Sequence, residues 1–148
     1  MTKILVSLLI LSVIFSCKTY SEDEKGAFDK EIVTYLQKKK IKCTRSESGL
    51  YYKIYEKGEG QTIQISDSVS FVYKGKLANG TVFDNQKKPI TFKVKDLIAG
   101  WKEIMVKLKP KAKVFLAVPP LLGYGEHELD KIPPNSILYF EMEIISIK

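Results

Sequence analysis

The segment from Asp96 to Leu108 is short, and it is apolar around much of its helical circumference. Asp96 is a residue type that caps helix N-termini, and Lys109-Pro110 ends the pattern because proline cannot continue a helix. A helix that is apolar on most sides must be covered on most sides, so we expect a sheet to wrap around it. The apolar residues that recur at helical spacing are Leu97, Ile98, Trp101, Ile104, Met105 and Leu108.

Strand-like segments flank this helix on both sides. Apolar and polar residues alternate from Ile90 to Val94, and Asn79-Gly80 is a strong hairpin signal because both residue types tolerate positive φ. Strands and helices do not alternate regularly, so the pattern predicts an antiparallel α+β domain. The predicted strands are Leu50–Tyr55, Ser68–Leu77, Thr81–Phe83, Ile90–Val94, Val114–Val118 and Ile137–Ile147.

The first seventeen residues have the layout of a bacterial lipoprotein leader. Lys3 precedes an apolar run from Ile4 to Phe15, which is shorter than the roughly 20 residues of a membrane-spanning helix. The sequence Ile14-Phe15-Ser16-Cys17 resembles the lipobox, whose cysteine is acylated and becomes the first mature residue. We expect residues 1–16 to be a signal peptide and Cys17 to be lipidated, which attaches the protein to a membrane of the bacterial cell envelope, on the periplasmic or outer membrane side. The alternative is an ordinary cleaved leader in which Cys17 is incidental.

A polar stretch and a predicted helix follow the leader. Residues 18 to 26 are polar and predict a tether. From Ala27 to Lys42 the pattern predicts an amphipathic helix, because Phe28, Ile32 and Leu36 recur at helical spacing. This helix would pack either on the main domain or on a partner. We assign residues 17–45 to the lipid-attached tether and helix, and residues 46–148 to one folded domain.

Composition argues against several functions. The chain of 148 residues has a formal charge of +7, but its lysines are scattered and no nucleic-acid-binding motif is present. A solvated basic surface is therefore expected, with binding to an anionic surface as a further alternative. His127 is the single histidine, so a metal cluster or a serine-type triad has little support. We expect no metal, no cofactor and no nucleic-acid partner, and we place His127 in a surface loop.

Five short motifs lie in register along the chain. They are Val72-Tyr73-Lys74-Gly75, Asn79-Gly80-Thr81-Val82-Phe83-Asp84, Ile98-Ala99-Gly100-Trp101, Gly123-Tyr124-Gly125 and Ile132-Pro133-Pro134-Asn135-Ser136. In order and spacing they resemble the motifs of FK506-binding-type (FKBP-type) peptidyl-prolyl cis/trans isomerases. The likeness covers about residues 46 to 148. It implies a five- or six-stranded antiparallel sheet wrapped around one short helix, with an apolar pocket between them.

The resemblance also implies which residues form an active site. Trp101 would be the floor beneath the substrate proline, the Ile98 backbone N–H and the Tyr124 hydroxyl would bind substrate carbonyls, and Asp84 would lie beside the rotating amide. Ile90 stands where the family often has an aromatic residue, and Lys131 replaces an apolar residue on the rim. The catalytic residues would be Tyr73, Phe83, Asp84, Trp101, Tyr124 and Phe140, with Leu97, Ile98, Ile90 and Ile132 binding substrate. Phe92, Tyr139 and Tyr51 are expected to be core or surface residues without substrate contact.

Isomerisation requires little chemical machinery from these residues. Rotation about an X-Pro bond faces a barrier of about 18–20 kcal/mol but makes and breaks no bond, so it needs no nucleophile or cofactor. We expect an isomerase acting on proline-containing polypeptides and assisting the folding of exported or envelope proteins. The alternative is a proline-segment-binding module or chaperone with little turnover, positioned at the membrane. A macrolide is a further candidate ligand, and the substitutions at Ile90 and Lys131 leave its affinity open.

Overall fold

The computed structural model describes residues 19–148 of the chain. The predicted signal peptide and the predicted lipidation site, Cys17, lie outside the described residues. Two helices, α1 (Glu22–Lys39) and α2 (Ala99–Met105), are present in the described range. The strands in that range are β1 (Thr44–Arg45), β2 (Tyr51–Glu56), β3 (Ser68–Lys76), β4 (Val82–Lys93), β5 (Lys113–Val118) and β6 (Leu138–Ile147).

These strands form one antiparallel sheet in the order β1-β2-β5-β6-β3-β4. The predicted α+β class and the antiparallel sheet of five or six strands are confirmed. The hairpin predicted at Asn79-Gly80 joins β3 to β4, where the Leu77 carbonyl accepts from the Gly80 N–H at 2.9 Å. Gly80 has a φ of +90°, a left-handed conformation that glycine adopts without steric cost. The hairpin places β4 beside β3, and β3 also pairs with β6.

The central helix α2 begins later than the sequence pattern predicted. Asp96 belongs to a 3₁₀ turn, Val94–Asp96, and Leu97 and Ile98 are extended before α2 starts at Ala99. The expectation that Asp96 caps the helix is therefore wrong. The Val94 side chain is fully buried and its N–H donates to the Asp67 carbonyl at 2.9 Å, so the 3₁₀ turn is attached to the residue before β3, and α2 starts only after it. The helix also ends at Met105, before the predicted stop at Lys109-Pro110.

Alternation along the strands gives the sheet two covered faces. On β5, Val114 and Leu116 face the core around α2, whereas Phe115 and Ala117 face the opposite side. The core around α2 is apolar, and its fully buried members include Leu50, Ile63, Phe71, Ile104, Met105, Leu108, Leu116, Leu138 and Ile144. The short helix therefore lies against one face of the sheet, as the apolar pattern predicted.

Helix α1 covers the other face of the sheet. Ser21 caps it in a capping box with Glu24, which satisfies backbone donors at the helix start. Ile32 is 1% exposed and packs in a cluster with Phe115 and Tyr139. The open question of what this helix packs against is thereby answered: it packs on the main domain.

The segment before α1 is also part of the fold. The helix begins at Glu22 instead of Ala27, and Tyr20 is 6% exposed, so the polar stretch predicted as a tether is largely structured from Tyr20 onward. Neither helix in residues 19–148 combines the length and the apolar content needed to cross a bilayer.

Candidate active site

A cleft of about 400 Å³ opens between α2, the neighbouring strands and the loop that follows β5. Its lining is Tyr73, Phe83, Asp84, Phe92, Asp96, Leu97, Ile98, Trp101, Tyr124, Leu129, Asp130, Lys131, Ile132 and Phe140. Every predicted catalytic or substrate-binding residue, with the exception of Ile90, lines this cleft. Residues that are far apart in the chain are thus brought together by β3, β4, α2, β6 and one loop.

Ile90 is the predicted substrate-binding residue that the structure does not place in the cleft lining. It lies opposite Phe71 in the β3–β4 register and packs partly buried against the main core, outside the cleft lining. Phe92, two residues further along β4, reaches the cleft instead, and it is 45% exposed. The signal for Phe92 was present in the sequence, because residues two apart on a strand share a face. The sequence analysis expected Phe92 to be a core or surface residue without substrate contact, and the structure places this exposed side chain in the cleft lining.

Trp101 is the centre of an aromatic cluster at the base of the cleft. It is 7% exposed, and its ring makes edge-to-face contacts with Phe140 at 4.9 Å, Tyr73 at 5.0 Å and Phe71 at 5.4 Å between centroids. Such perpendicular geometries are favourable for aromatic pairs and lock the rings against one another. The result is a rigid apolar surface that can contact a small ring without rearrangement.

Gly75 on β3 makes room for the wall of this cleft. It pairs with Asp84 on one side and with Phe140 on the other. A Cβ at this position would lie 2.4 Å from two atoms of the Phe83 ring and 3.0 Å from Phe140. The Phe83 ring therefore lies directly over the Gly75 backbone, and its edge-to-face contact with Phe140 (5.6 Å) continues the wall.

Two tyrosine hydroxyls and the Asp84 carboxylate lie together in the cleft, whose lining also includes Asp96, Asp130 and Lys131. The Tyr73 hydroxyl donates to the Asp84 carboxylate. Burial, together with this hydrogen bond to Asp84, raises the pKa of Tyr73 above its ordinary value. Burial and the Asp84 charge likewise raise the pKa of Tyr124. Both hydroxyls consequently keep their protons well above neutral pH and act as hydrogen-bond donors.

The backbone at Ile98 offers a further donor. Ile98 is the residue that precedes α2, and its carbonyl accepts from the N–H groups of Trp101 and Lys102 at 3.0 Å. Its own N–H has no acceptor among residues 19–148. The first N–H groups of a helix lack partners within the helix, so a donor next to the cleft follows directly from where α2 begins.

The described residues contain no grouping of three His, Cys, Asp or Glu side chains suited to a metal ion. His127 is exposed in the loop after β5, where the sequence placed it. The cleft itself is an aromatic pocket with hydrogen-bond donors from Tyr73 and Tyr124 and three carboxylates in its lining, Asp84, Asp96 and Asp130.

Comparison with known proteins gives consistent matches. A family model described as FKBP-type peptidyl-prolyl cis-trans isomerase matches residues 59–145. The chain is 43% identical over 109 residues to the FKBP-type peptidyl-prolyl cis-trans isomerase FkpA of Buchnera aphidicola (subspecies Schizaphis graminum), covering 71% of this chain and 43% of that protein. It is also 43% identical over 105 residues to the peptidyl-prolyl cis-trans isomerase Mip of Coxiella burnetii, covering 68% of this chain and 46% of Mip.

A solved structure shows the same fold. The crystal structure of FkpA from Escherichia coli superposes with a TM-score of 0.74 at 35% identity, covering 85% of this chain and 61% of that one. The chain spans less than half the length of the two curated relatives described above.

Proposed function

The chain belongs to the FKBP-type peptidyl-prolyl cis-trans isomerase family, and we propose that it catalyses cis/trans isomerisation of X-Pro bonds in its aromatic cleft. The observation that carries this proposal is the environment of Trp101, a buried indole enclosed by the edges of Phe71, Tyr73 and Phe140. A proline ring is small, rigid and apolar, and this surface is suited to it. The substrates would be proline-containing segments of exported or envelope proteins.

Catalysis would follow from the difference in charge separation between the planar and the twisted amide. The planar X-Pro amide is resonance-stabilised and polar, and a rotation barrier of about 18–20 kcal/mol reflects the loss of that resonance. In an aromatic cleft that excludes water, both forms of the amide lose solvation. The polar planar form loses more solvation free energy than the less polar twisted form. The cleft therefore binds the transition state better than the ground state, which is the requirement for rate acceleration.

The polar groups would orient the substrate while the bond turns. The unpaired Ile98 N–H and the Tyr124 hydroxyl, which both lie at the cleft, would donate to the carbonyls that flank the proline. Asp84, held by the Tyr73 hydroxyl, would lie beside the rotating amide. These contacts fix the flanking chain and leave the amide free to rotate, so bound substrate needs little further ordering.

A protease-coupled assay on an Ala-Leu-Pro-Phe peptide tests this proposal. We expect the protein to accelerate isomerisation and Phe140→Leu to lower kcat/KM by about tenfold or more, because small misplacements at a catalytic surface are costly. Phe115→Leu is the matched control: Phe115 is as buried as Phe140 but faces α1, so this variant should lose stability and keep its activity. Binding of the peptide without acceleration would replace the enzyme proposal with the proline-segment-binding alternative. If the protein neither binds the peptide nor accelerates its isomerisation, the enzyme proposal and the binding-module alternative are both rejected.

A macrolide of the FK506 type would compete for the same cleft. Its apolar lining favours such a ligand, whereas Lys131 on the rim adds a charge where the ligand ring would pass. Inhibition of the isomerase reaction by FK506, compared between the native chain and Lys131→Leu, would measure the effect of that charge. We expect tighter inhibition of the variant, and equal inhibition would show that the rim makes no contact with the macrolide.

We also propose that the protein is a lipoprotein of the cell envelope, acylated on Cys17. The apolar run from Ile4 to Phe15 and the cysteine at its end support this placement. Tyr20 is buried in the domain, and three residues of extended chain span at most about 11 Å. The lipid would therefore hold the folded domain close to the membrane surface.

Palmitate labelling distinguishes lipidation from ordinary cleavage. The native chain and Cys43→Ala should both incorporate label, whereas Cys17→Ala should incorporate none. Label retained by Cys17→Ala, or no label on the native chain, would contradict the proposal.

A further inference from the structure

The segment in front of α1 contacts the loop that forms one side of the cleft. We refer to residues Gly123–Ser136 as the pocket loop, which carries the cleft residues Tyr124 and Ile132. We propose that Tyr20 is a positioning residue for the active site, which acts through Asn135 to hold the pocket loop in its substrate-binding geometry. The expected effect on activity rests on the proposed isomerase function, whereas the contact between Tyr20 and the loop can be tested without it.

Tyr20 bonds to the point where the pocket loop closes. Its hydroxyl donates to the Oδ1 atom of Asn135 at 2.7 Å. The Asn135 N–H donates to the Gly125 carbonyl at 2.7 Å, and the Gly125 N–H donates to the Pro120 carbonyl at 2.9 Å. A Cβ on Gly125 would lie only 3.6 Å from the Tyr20 hydroxyl oxygen. Gly125 and Asn135 form the neck of the pocket loop, where its two ends meet. The Tyr20 hydroxyl is next to both of these residues.

The backbone of this neck suits Asn135 in particular. Gly125 and Asn135 have φ values of +58° and +59°, in the left-handed region. Asparagine tolerates that region better than most residues, and its side chain offers an acceptor that glycine lacks. Asn135 thus shapes the neck and provides the group to which Tyr20 bonds.

Within the remainder of the pocket loop, Ile132 is 7% exposed and packs in the core around α2. The side chains from Glu126 to Lys131 are exposed. Leu129 and Ile132 pair with each other through two backbone hydrogen bonds of 3.0 Å, so that this part of the loop forms a small hairpin. The hairpin is therefore held at two places, by Ile132 in the core and by the neck that Gly125 and Asn135 form. Tyr124 is one residue from Gly125, so this cleft residue would follow a motion of the neck.

Tyr20 itself is fixed relative to the sheet. It is 6% exposed, and its ring packs edge-on against Phe28 of α1 with centroids 5.3 Å apart. Helix α1 is in turn anchored on the sheet through Ile32, which is 1% exposed. The hydrogen bond from Tyr20 therefore connects the pocket loop to the rigid part of the domain.

Removal of single hydroxyl groups tests this role. Tyr20→Phe deletes the bond to Asn135, and Tyr51→Phe is the matched control. The Tyr51 hydroxyl donates to Asp29 at 2.8 Å and ties α1 to the sheet, but Tyr51 does not line the cleft. Asn135→Gly removes the acceptor while keeping a residue that tolerates positive φ. All variants would be made in the full chain, purified in mild detergent, and assayed for kcat, KM and amide hydrogen exchange of the pocket loop.

We expect Tyr20→Phe to lower kcat/KM by about threefold to tenfold, mostly through a higher KM, since the loop supplies binding contacts. Pocket-loop amides should exchange faster in this variant. Asn135→Gly should behave alike, and the double variant should be no worse than either single variant, because both remove one bond. Tyr51→Phe should leave kcat/KM and loop exchange unchanged.

Equal behaviour of Tyr20→Phe and Tyr51→Phe in both measurements would overturn the proposal, as would additive losses in the double variant. If the native chain shows no isomerase activity, the proposed function fails, and hydrogen exchange then decides the positioning role by itself. In that case, faster loop exchange in Tyr20→Phe but not in Tyr51→Phe would support the contact, and equal exchange would reject it.

Discussion

Gly75→Ala should reduce activity far more than it reduces stability. The new Cβ would lie 2.4 Å from the Cε2 and Cζ atoms of Phe83, whereas ordinary contacts begin at about 3.4 Å, so the ring must retreat by about 1 Å. Those atoms are the outer end of a half-buried side chain with the open cleft beside it. The ring can therefore relieve the overlap by moving, and the cleft wall moves with it.

The free energy of unfolding contains two opposed contributions. Overpacking costs about 1–3 kcal/mol, and the lower half of that range applies where a side chain can yield. Replacing glycine by alanine inside a strand returns about 0.5–1 kcal/mol through lower unfolded-state entropy. We therefore expect a net loss of about 0–2 kcal/mol. For kcat/KM we expect a fall of about 10- to 100-fold, since a displacement of 1 Å at a catalytic surface has effects of that size.

The assay is the protease-coupled reaction, with urea unfolding of each variant measured alongside. Gly80→Ala is the control, because Gly80 has open space around it but a φ of +90°. It should lose about 1–2 kcal/mol through backbone strain and keep its activity. The double variant Gly75→Ala/Phe83→Leu should regain stability, because the shorter side chain removes the overlap. Unchanged kcat/KM in Gly75→Ala would refute the idea that Phe83 over Gly75 forms a working wall of the site.

Three further predictions concern the N-terminal part of the fold. Gly26→Ala should raise the urea midpoint by the equivalent of about 0.5–1 kcal/mol, since Gly26 lies within α1 with nothing within 4 Å of a new Cβ; a lower midpoint would contradict this. Ile32→Ala should cost about 2–5 kcal/mol, because Ile32 is 1% exposed, and a negligible loss in urea unfolding would mean that α1 is not docked. Burial raises the pKa of the Cys43 thiol to about 11, so iodoacetamide should react slowly near neutral pH. Stability should also fall as pH rises from the unfolded thiol's value of about 8.5 toward 11, because the unfolded chain loses its proton first, and Cys43→Ala should show a shallower fall.

Most of the cleft could be predicted because its residues lie in short motifs at fixed spacing. Tyr73, Trp101 and Phe140 come from β3, α2 and β6, and no local pattern places them together. The resemblance of the sequence motifs to one family is what predicted that these residues share one site. The sequence does not show which of Ile90 and Phe92 reaches the cleft, because that depends on how far β4 extends past the core. Ile90 is partly buried opposite Phe71 and Phe92 is exposed opposite Val69, although the period of the strand places both side chains on the same face.

Local rules failed where tertiary contacts outweigh them. An aspartate before an apolar run matches the pattern of a helix N-cap, yet burial of Val94 draws Asp96 into a 3₁₀ turn. The extended residues Leu97 and Ile98 then leave the Ile98 N–H outside the helix, next to the cleft. The burial of Val94 that makes the N-cap prediction for Asp96 wrong therefore also leaves the Ile98 N–H available as a proposed substrate donor.

The cleft depends on parts of the chain that lie before the family match at residue 59. Leu50 is fully buried in the core around α2, and Tyr51 pairs with Ala117 of β5. Helix α1 covers the opposite face of the sheet, where Phe115 and Tyr139 are almost completely buried. Since β6 carries Tyr139 on that face and Phe140 in the cleft, packing of α1 and the geometry of the cleft act on adjacent residues of one strand. Helix α1 therefore packs as part of the folded unit that carries the cleft.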